Sequence, residues 1–212
     1  MPLTLSQLRS EIVGNHGGIT GKDAQIKTLL NLIVKDLTTS HNWRDLQHLD
    51  SSQTLAADSY TITVPSTIQK IEFVNLLDPD ENWYEVEILP LKDFRALEDG
   101  SGTPVPEATA ALPTHAHLLG YELTFNKKSN LTYTVYLDSF LWPTDMSQDA
   151  DYPSITNADP ILIAYGTAWL YQHRKQPQTA GIWFSMADVF YKNITNEEHG
   201  VKFKFTRKRM GI

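Results

Sequence analysis

The 212-residue sequence has no cysteine. Disulfides, a thiol nucleophile, zinc knuckles and thiolate-held iron–sulfur clusters are therefore excluded. Long hydrophobic runs are missing too, with no stretch near the ~20 consecutive apolar residues that span a bilayer. The opening MPLTLSQLRSEI lacks a basic region followed by an apolar run, so no signal peptide is expected and the chain reads as soluble and cytoplasmically made. Neither a G-x-S-x-G elbow nor an H-E-x-x-H helix occurs. What remains is ordinary globular composition, 41% apolar and 20% charged, in a 24.0 kDa chain that suits one large domain or two small ones.

Charge is unevenly placed. The last twelve residues, VKFKFTRKRMGI, hold five basic side chains and no acid, so residues 1–200 set 13 basic against 25 acidic residues, a balance of −12. An acidic body with a short basic end argues against a general nucleic-acid-binding surface and for a docking segment.

Hydrophobic periodicity divides the chain. Leu5, Leu8 and Ile12 lie at helical spacing behind Thr4 or Ser6 as cap, and Ala24 to Leu37 carries a wide apolar stripe from Lys22 to Ser40. Trp43 and Leu46 are expected to pack back on that helix. From Tyr60 the pattern becomes extended: Tyr60–Val64 ending in Pro65, then Ile68–Leu76, Trp83–Ile88, Ala116–Gly120, Tyr121–Phe125 and the strictly alternating Leu131–Leu137. Pro90–Leu97 reads as a short helix, residues 99–114 as a Gly/Pro-rich mobile loop, and Asn126–Asn130 as a turn. Asp159-Pro160 opens an almost wholly apolar helix, and a second runs from Gln178 to Asn196, the two forming a hairpin around Gln176-Pro177. The expectation is an α+β fold: a helical bundle formed by N- and C-terminal helices, with an inserted antiparallel β module and an extended C-terminal tail. Its parts are 1–58, N-terminal helices; 59–144, β-rich insert; 145–200, C-terminal hairpin packed with 1–58; and 201–212, the tail.

Candidate chemistry is sparse. Gly17–Asp23 invites comparison with a phosphate loop, but His16 stands where the first Gly is required, Asp23 replaces the Ser/Thr and no strand precedes it. His115 and His117 share a strand face, yet a catalytic zinc needs three protein ligands and no third follows at ligand spacing. Asp78, Asp80 and Glu81 offer oxygen ligands without the twelve-residue calcium-loop pattern. Asp145 and Asp149 could form a glycosidase pair only in space. No catalytic, cofactor-binding or metal residues are assigned, and no cofactor is expected. The aromatics of the last two helices exceed what a hairpin buries, so Trp169, Tyr171, Trp183, Phe184 and Tyr191 are a candidate subunit interface, with plain core packing as the alternative.

In the tail, Val201, Phe203 and Phe205 alternate with Lys202 and Lys204, followed by Arg207, Lys208 and Arg209. Extended, this segment places its apolar side chains on one face, suited to a partner's sheet or pockets.

The order of features resembles the head–tail connector proteins of tailed bacteriophages, the adaptors that ring the base of the portal. The resemblance lies in the helix with its following Trp (Leu29 to Trp43) and the strand ending in Pro (Tyr60–Pro65). Ile68–Val74 with a β-rich insert after it, the helical hairpin (Asp159 to Asn196) and the extended tail complete it. It implies a structural virion protein at the head–tail interface, not an enzyme. About twelve copies would form a homo-oligomeric ring. Double-stranded DNA would pass through without sequence-specific binding, the tail (Val201–Phe205, Arg207–Arg209) would dock on the portal protein, and a tail or nozzle protein would sit on the other side; no membrane is involved. Alternatives are another phage neck or tail component, such as a terminator or tail-tube-proximal protein, and a carboxylate-dependent glycan hydrolase.

Overall fold

The computed structural model describes residues 2–18, 21–97 and 107–199. Five helices and nine strands follow in order among these residues. The chain begins with α1 (Leu5–Asn15), α2 (Asp23–Ser40), β1 (Gln47–Leu55), β2 (Thr61–Thr63), β3 (Ile68–Leu77) and β4 (Trp83–Ile88). It continues with α3 (Leu91–Ala96), β5 (Glu107–Ala111), β6 (His115–Leu119), β7 (Glu122–Phe125), β8 (Lys127–Ser129) and β9 (Tyr133–Leu141). It closes with α4 (Asp159–His173) and α5 (Pro177–His199). Two compact units result, one from residues 1–45 with 143–212, the other from residues 46–142.

The first unit is built around α4. Ile161, Leu162, Ala164, Ala168 and Leu170 are all buried, as a helix apolar on every side requires. Gly166 faces α1 closely: a Cβ there would lie 2.5 Å from Ile12 Cδ1, so a larger residue would require the Ile12 side chain to shift. α1 starts with a capping box, in which the Thr4 hydroxyl accepts from Gln7 N–H and the Gln7 side chain accepts from Thr4 N–H at 2.9 Å. Trp43 is buried, its Nε1–H donating 2.8 Å to Leu37 O at the end of α2. The connection 143–158 is strapped onto α1 and α2. Asn31 exchanges two hydrogen bonds with Met146, Lys27 donates to Ser147 O, and Leu5 and Ser6 N–H donate to Asp151 O and Asp149 O.

The second unit is a seven-stranded sheet in the order β1-β9-β3-β4-β6-β7-β2, whose edge strands approach each other so that it nearly closes as a barrel. β5 and β8 form a separate parallel pair. Leu55, Val74, Leu76, Val135, Leu137 and Phe125 point into the core of this unit, following the period-two alternation of their strands.

This overturns the expected fold class. The chain is a mixed α/β protein with a large sheet and five helices, not a helical bundle carrying a small antiparallel insert. Three physical reasons account for the difference. β1 has the sequence QHLDSSQTL, too polar to show strand alternation, and a register shift between Asp50 and Gln53 breaks what pattern there is. β5 and β8 lie in segments whose Gly, Pro, Asn and Lys content reads as loop and turn. Finally, β4 and β6 pair in parallel, because α3 and the segment after it supply the crossover that a parallel pair needs. The tail 201–212, expected to be extended, lies outside the described residues.

Candidate assembly surfaces

The five aromatics expected at a subunit interface are all half-buried. Tyr171 OH donates 3.1 Å to Asn15 O at the end of α1, and its ring lies 4.5 Å from that of His16. Tyr191 OH donates to Ser40 Oγ at 3.2 Å, with its ring edge-on to Trp43 at 6.4 Å. Phe184 packs on Tyr165 at 5.9 Å, and Tyr165 OH donates to Asp188. Trp169 meets His173 edge-on at 4.1 Å. These hydroxyls and rings tie α4 and α5 to α1 and α2. Among the side chains that α5 turns outward, the large apolar ones are Ile182 (62% exposed), Met186 and Val189 (55%), at i, i+4 and i+7 spacing and interspersed with Ser185, Asp188 and Lys192. The tail residues Val201 to Arg209 lie outside the described residues.

A second apolar surface lies on the outer face of the sheet. The register aligns Leu49, Asp138 and Phe73 in one row across β1, β9 and β3. The next row holds Tyr136, Asn75 and Glu85, and the one after it Thr134, Leu77 and Trp83. Leu49, Phe73 and Trp83 are 60%, 49% and 55% exposed, and the Trp83 and Tyr136 rings meet at 4.6 Å. Carboxylates stand among them: Asp138, which accepts from Gln47, together with Glu85 and the bulge residue Glu72. Asp80 and Glu81 project from the adjoining β3–β4 turn. The sequence carried a signal for this face. In Trp83-Tyr84-Glu85-Val86-Glu87, alternation sets Trp83 on the side of the two glutamates, the polar side.

The remaining sequence candidates have structural partners. Asp78 is buried and accepts from Asn82 N–H, the Asn82 amide and Tyr84 OH, with distances of 2.8 to 3.0 Å. Those hydrogen bonds, led by the Asn82 side chain, hold its carboxyl below the ordinary value and push the Tyr84 hydroxyl up. His115 shares a hydrogen bond with Thr114 and lies 3.6 Å from Glu87, while His117 Nδ1 faces Leu89 O and its ring lies over Phe94. Among the described residues no cluster of three His, Asp or Glu could hold a metal. Asp145 pairs with Lys35 and Asp149 with Arg9, and Asp151 accepts from Ser147 and Gln148 N–H, which holds it below the ordinary carboxylate value.

A cleft of about 120 Å³ lies beside β1, lined by His48, Asp50, Ser52, Pro65, Thr67 and Ile68. Burial acts to raise the Asp50 carboxyl, but hydrogen bonds from Ser52 and Gln53, with His48 nearby, outweigh it and hold the group below its usual value. The cleft has room for several waters. No helix among the described residues is long and apolar enough to cross a membrane.

Compared with models of known protein families and with curated proteins, the chain matches none.

Proposed function

We propose that the chain is a structural component of a phage virion: a head–tail adaptor that assembles as a ring between portal and tail and lines the passage for DNA. The observation that carries this reading is the pair of exposed apolar surfaces, Ile182, Met186 and Val189 on α5 and Leu49, Phe73 and Trp83 on the sheet. Contiguous exposed apolar side chains mark interaction sites, and a ring subunit needs two different ones, because a head-to-tail contact joins unlike patches and closes by rotation. The acidic balance of residues 1–200 suits a channel in which DNA slides instead of being gripped. Basic residues at the chain end suit an acidic seat on the portal, with Lys and Arg setting registration.

The test is assembly. Full-length protein mixed with the portal of the same phage and imaged by electron microscopy should form a ring of about twelve copies, closed by one repeated contact, on the portal's base. A protein that stays monomeric with its portal, or that occupies sixfold density within the tail, refutes the reading.

A further inference from the structure

The cleft beside β1 lies within the 46–142 unit, apart from the apolar surfaces described above. His48, Asp50 and Ser52 of β1 line one side, and Pro65, Thr67 and Ile68, which lead from β2 into β3, line the other. Asp50 pairs in register with the core residue Leu137, so its carboxylate lies on the inner side of β1, while Leu49 belongs to the outer face. The geometry points to a binding site for a monoalkylguanidinium group, the head of an arginine side chain or of a small molecule of that class. The site does not depend on the adaptor reading.

A buried acid forms its floor. Asp50 is 9% exposed and Ile68 is buried, whereas His48, Ser52 and Thr67 are exposed and form the rim. Asp50 Oδ1 accepts from Ser52 N–H at 2.9 Å, but Oδ2 is buried and meets no donor among the described residues. No lysine or arginine among those residues forms an ion pair with Asp50. Burial acts to raise the carboxyl's pKa, yet the Ser52 and Gln53 hydrogen bonds outweigh it and keep the group ionised at neutral pH. A buried carboxylate oxygen without a donor is costly, and a charge-assisted hydrogen bond offsets that cost. The register shift between Asp50 and Gln53 builds the arrangement, because it releases Ser52 from the ladder and leaves its N–H for Asp50.

The remaining lining selects guanidinium among cations. Only His48 and Asp50 could ligate a metal, short of the three protein ligands a zinc site needs. An ammonium is compact and strongly hydrated, whereas guanidinium is weakly hydrated and its planar fork matches a carboxylate. Its outer N–H groups find acceptors at the rim in the Thr67 hydroxyl, a His48 ring nitrogen and Ser52 Oγ, which accepts from Gln53 and has a second lone pair. Pro65 and Ile68 offer apolar surface to the alkyl stem. A volume of about 120 Å³ has room for the planar head.

NMR of the full chain, titrated with N-acetyl-arginine amide at constant ionic strength, tests the site. Saturable shifts should centre on the Ser52 amide, the His48 ring and the Ile68 methyls and should spare Leu49. N-acetyl-citrulline amide, close in shape but uncharged, should bind about 10- to 100-fold more weakly, the worth of a hydrogen bond to a charged group. Asp50→Asn, which keeps an acceptor for Ser52 N–H, should weaken the arginine amide to the same extent. Thr67→Val, at an exposed position, should cost about 3- to 10-fold and carries the test if Asp50→Asn does not fold. Free arginine and agmatine separate the two sources. Binding no tighter than that of the blocked amide assigns the site to an arginine side chain of a protein partner, and tighter binding of either assigns it to a small molecule. Shifts that do not saturate or that scatter over the acidic surface, an equal response to N-acetyl-lysine amide, or binding unchanged in the folded variants overturns the proposal.

Discussion

Gly166→Ala is the sharpest probe of how the helical unit is packed. The new Cβ would meet Ile12 Cδ1 at 2.5 Å, Cγ1 at 3.0 Å and Cγ2 at 3.4 Å, against ~3.5–4.0 Å for comfortable carbon contacts. Ile12 is fully buried on α1 and β-branched, so its first side-chain torsion is stiff and no solvent lies behind it. Overpacking of this kind costs about 1–3 kcal/mol. Replacing Gly within a helix returns about 1 kcal/mol through propensity. The expected net is a loss of up to ~2 kcal/mol, which for a chain of this size lowers Tm by about 2–4 °C per kcal/mol. Ile12→Val removes Cδ1, the atom in worst conflict, and alone costs about 0.5–1.5 kcal/mol. In the double variant the two losses should not add: a favourable coupling of at least ~0.5 kcal/mol is expected, because the cavity left by one change receives the methyl of the other. Urea unfolding of the four proteins, followed by far-UV circular dichroism to report the helices, measures the cycle. If Gly166→Ala proves more stable than the parent, or if the two losses add, the close approach of α1 and α4 is not what holds Gly at this position.

Three other expectations are independent of that one. His16 is buried against Tyr171, and burial, with Arg174 as a smaller cause, lowers its pKa below 6.5. Its depressed value means stability is fully present above pH 6.5 and is lost as the pH falls toward the folded value, so His16→Phe should flatten that part of a stability-versus-pH curve, as thermal melts would show. Asp78, also depressed, contributes stability present above 3.8 and lost as acid titrates it, so Asp78→Ala should be weaker at neutral pH yet lose less on acidification. Parallel acid limbs for parent and variant would refute that role. Ile182→Ser with Val189→Ser should change monomer stability by no more than ~0.5 kcal/mol, since both side chains are exposed, while abolishing self-association in sedimentation; retained association clears α5 of an interface role.

Legibility in the sequence followed how strongly each element is dictated by its own residues. β9 was readable because Tyr133, Val135 and Leu137 alternate with Thr134 and Tyr136, and one face of that strand is wholly buried. α4 was readable because Asp159-Pro160 marks its start and apolar residues then run all round it. β1 was not, because an edge strand paired on one side with β9 needs few apolar residues, and its two buried side chains, Asp50 and Leu55, are not spaced by an even number. The parallel pairing of β4 with β6 could not be read either, since it depends on a crossover through a segment whose composition signals only loop.

The interface aromatics show a different limit. Helical spacing grouped Trp169, Tyr171, Trp183, Phe184 and Tyr191 correctly as neighbours of one hairpin, but large aromatic side chains serve packing and association equally well. What separates the two is whether a polar tip finds a partner inside the fold. The hydroxyls of Tyr171 and Tyr191 do, on Asn15 and Ser40, and their rings are thereby committed to the helical unit. Ile182, Met186 and Val189 have no polar tip to satisfy and remain in solvent, and Trp83 stands on the glutamate side of its strand. An apolar residue out of step with its element's buried face is thus a better pointer to an association surface than aromatic content. By that criterion the outer sheet face, where Leu49, Phe73 and Trp83 stand exposed, is a better association surface than the hairpin aromatics.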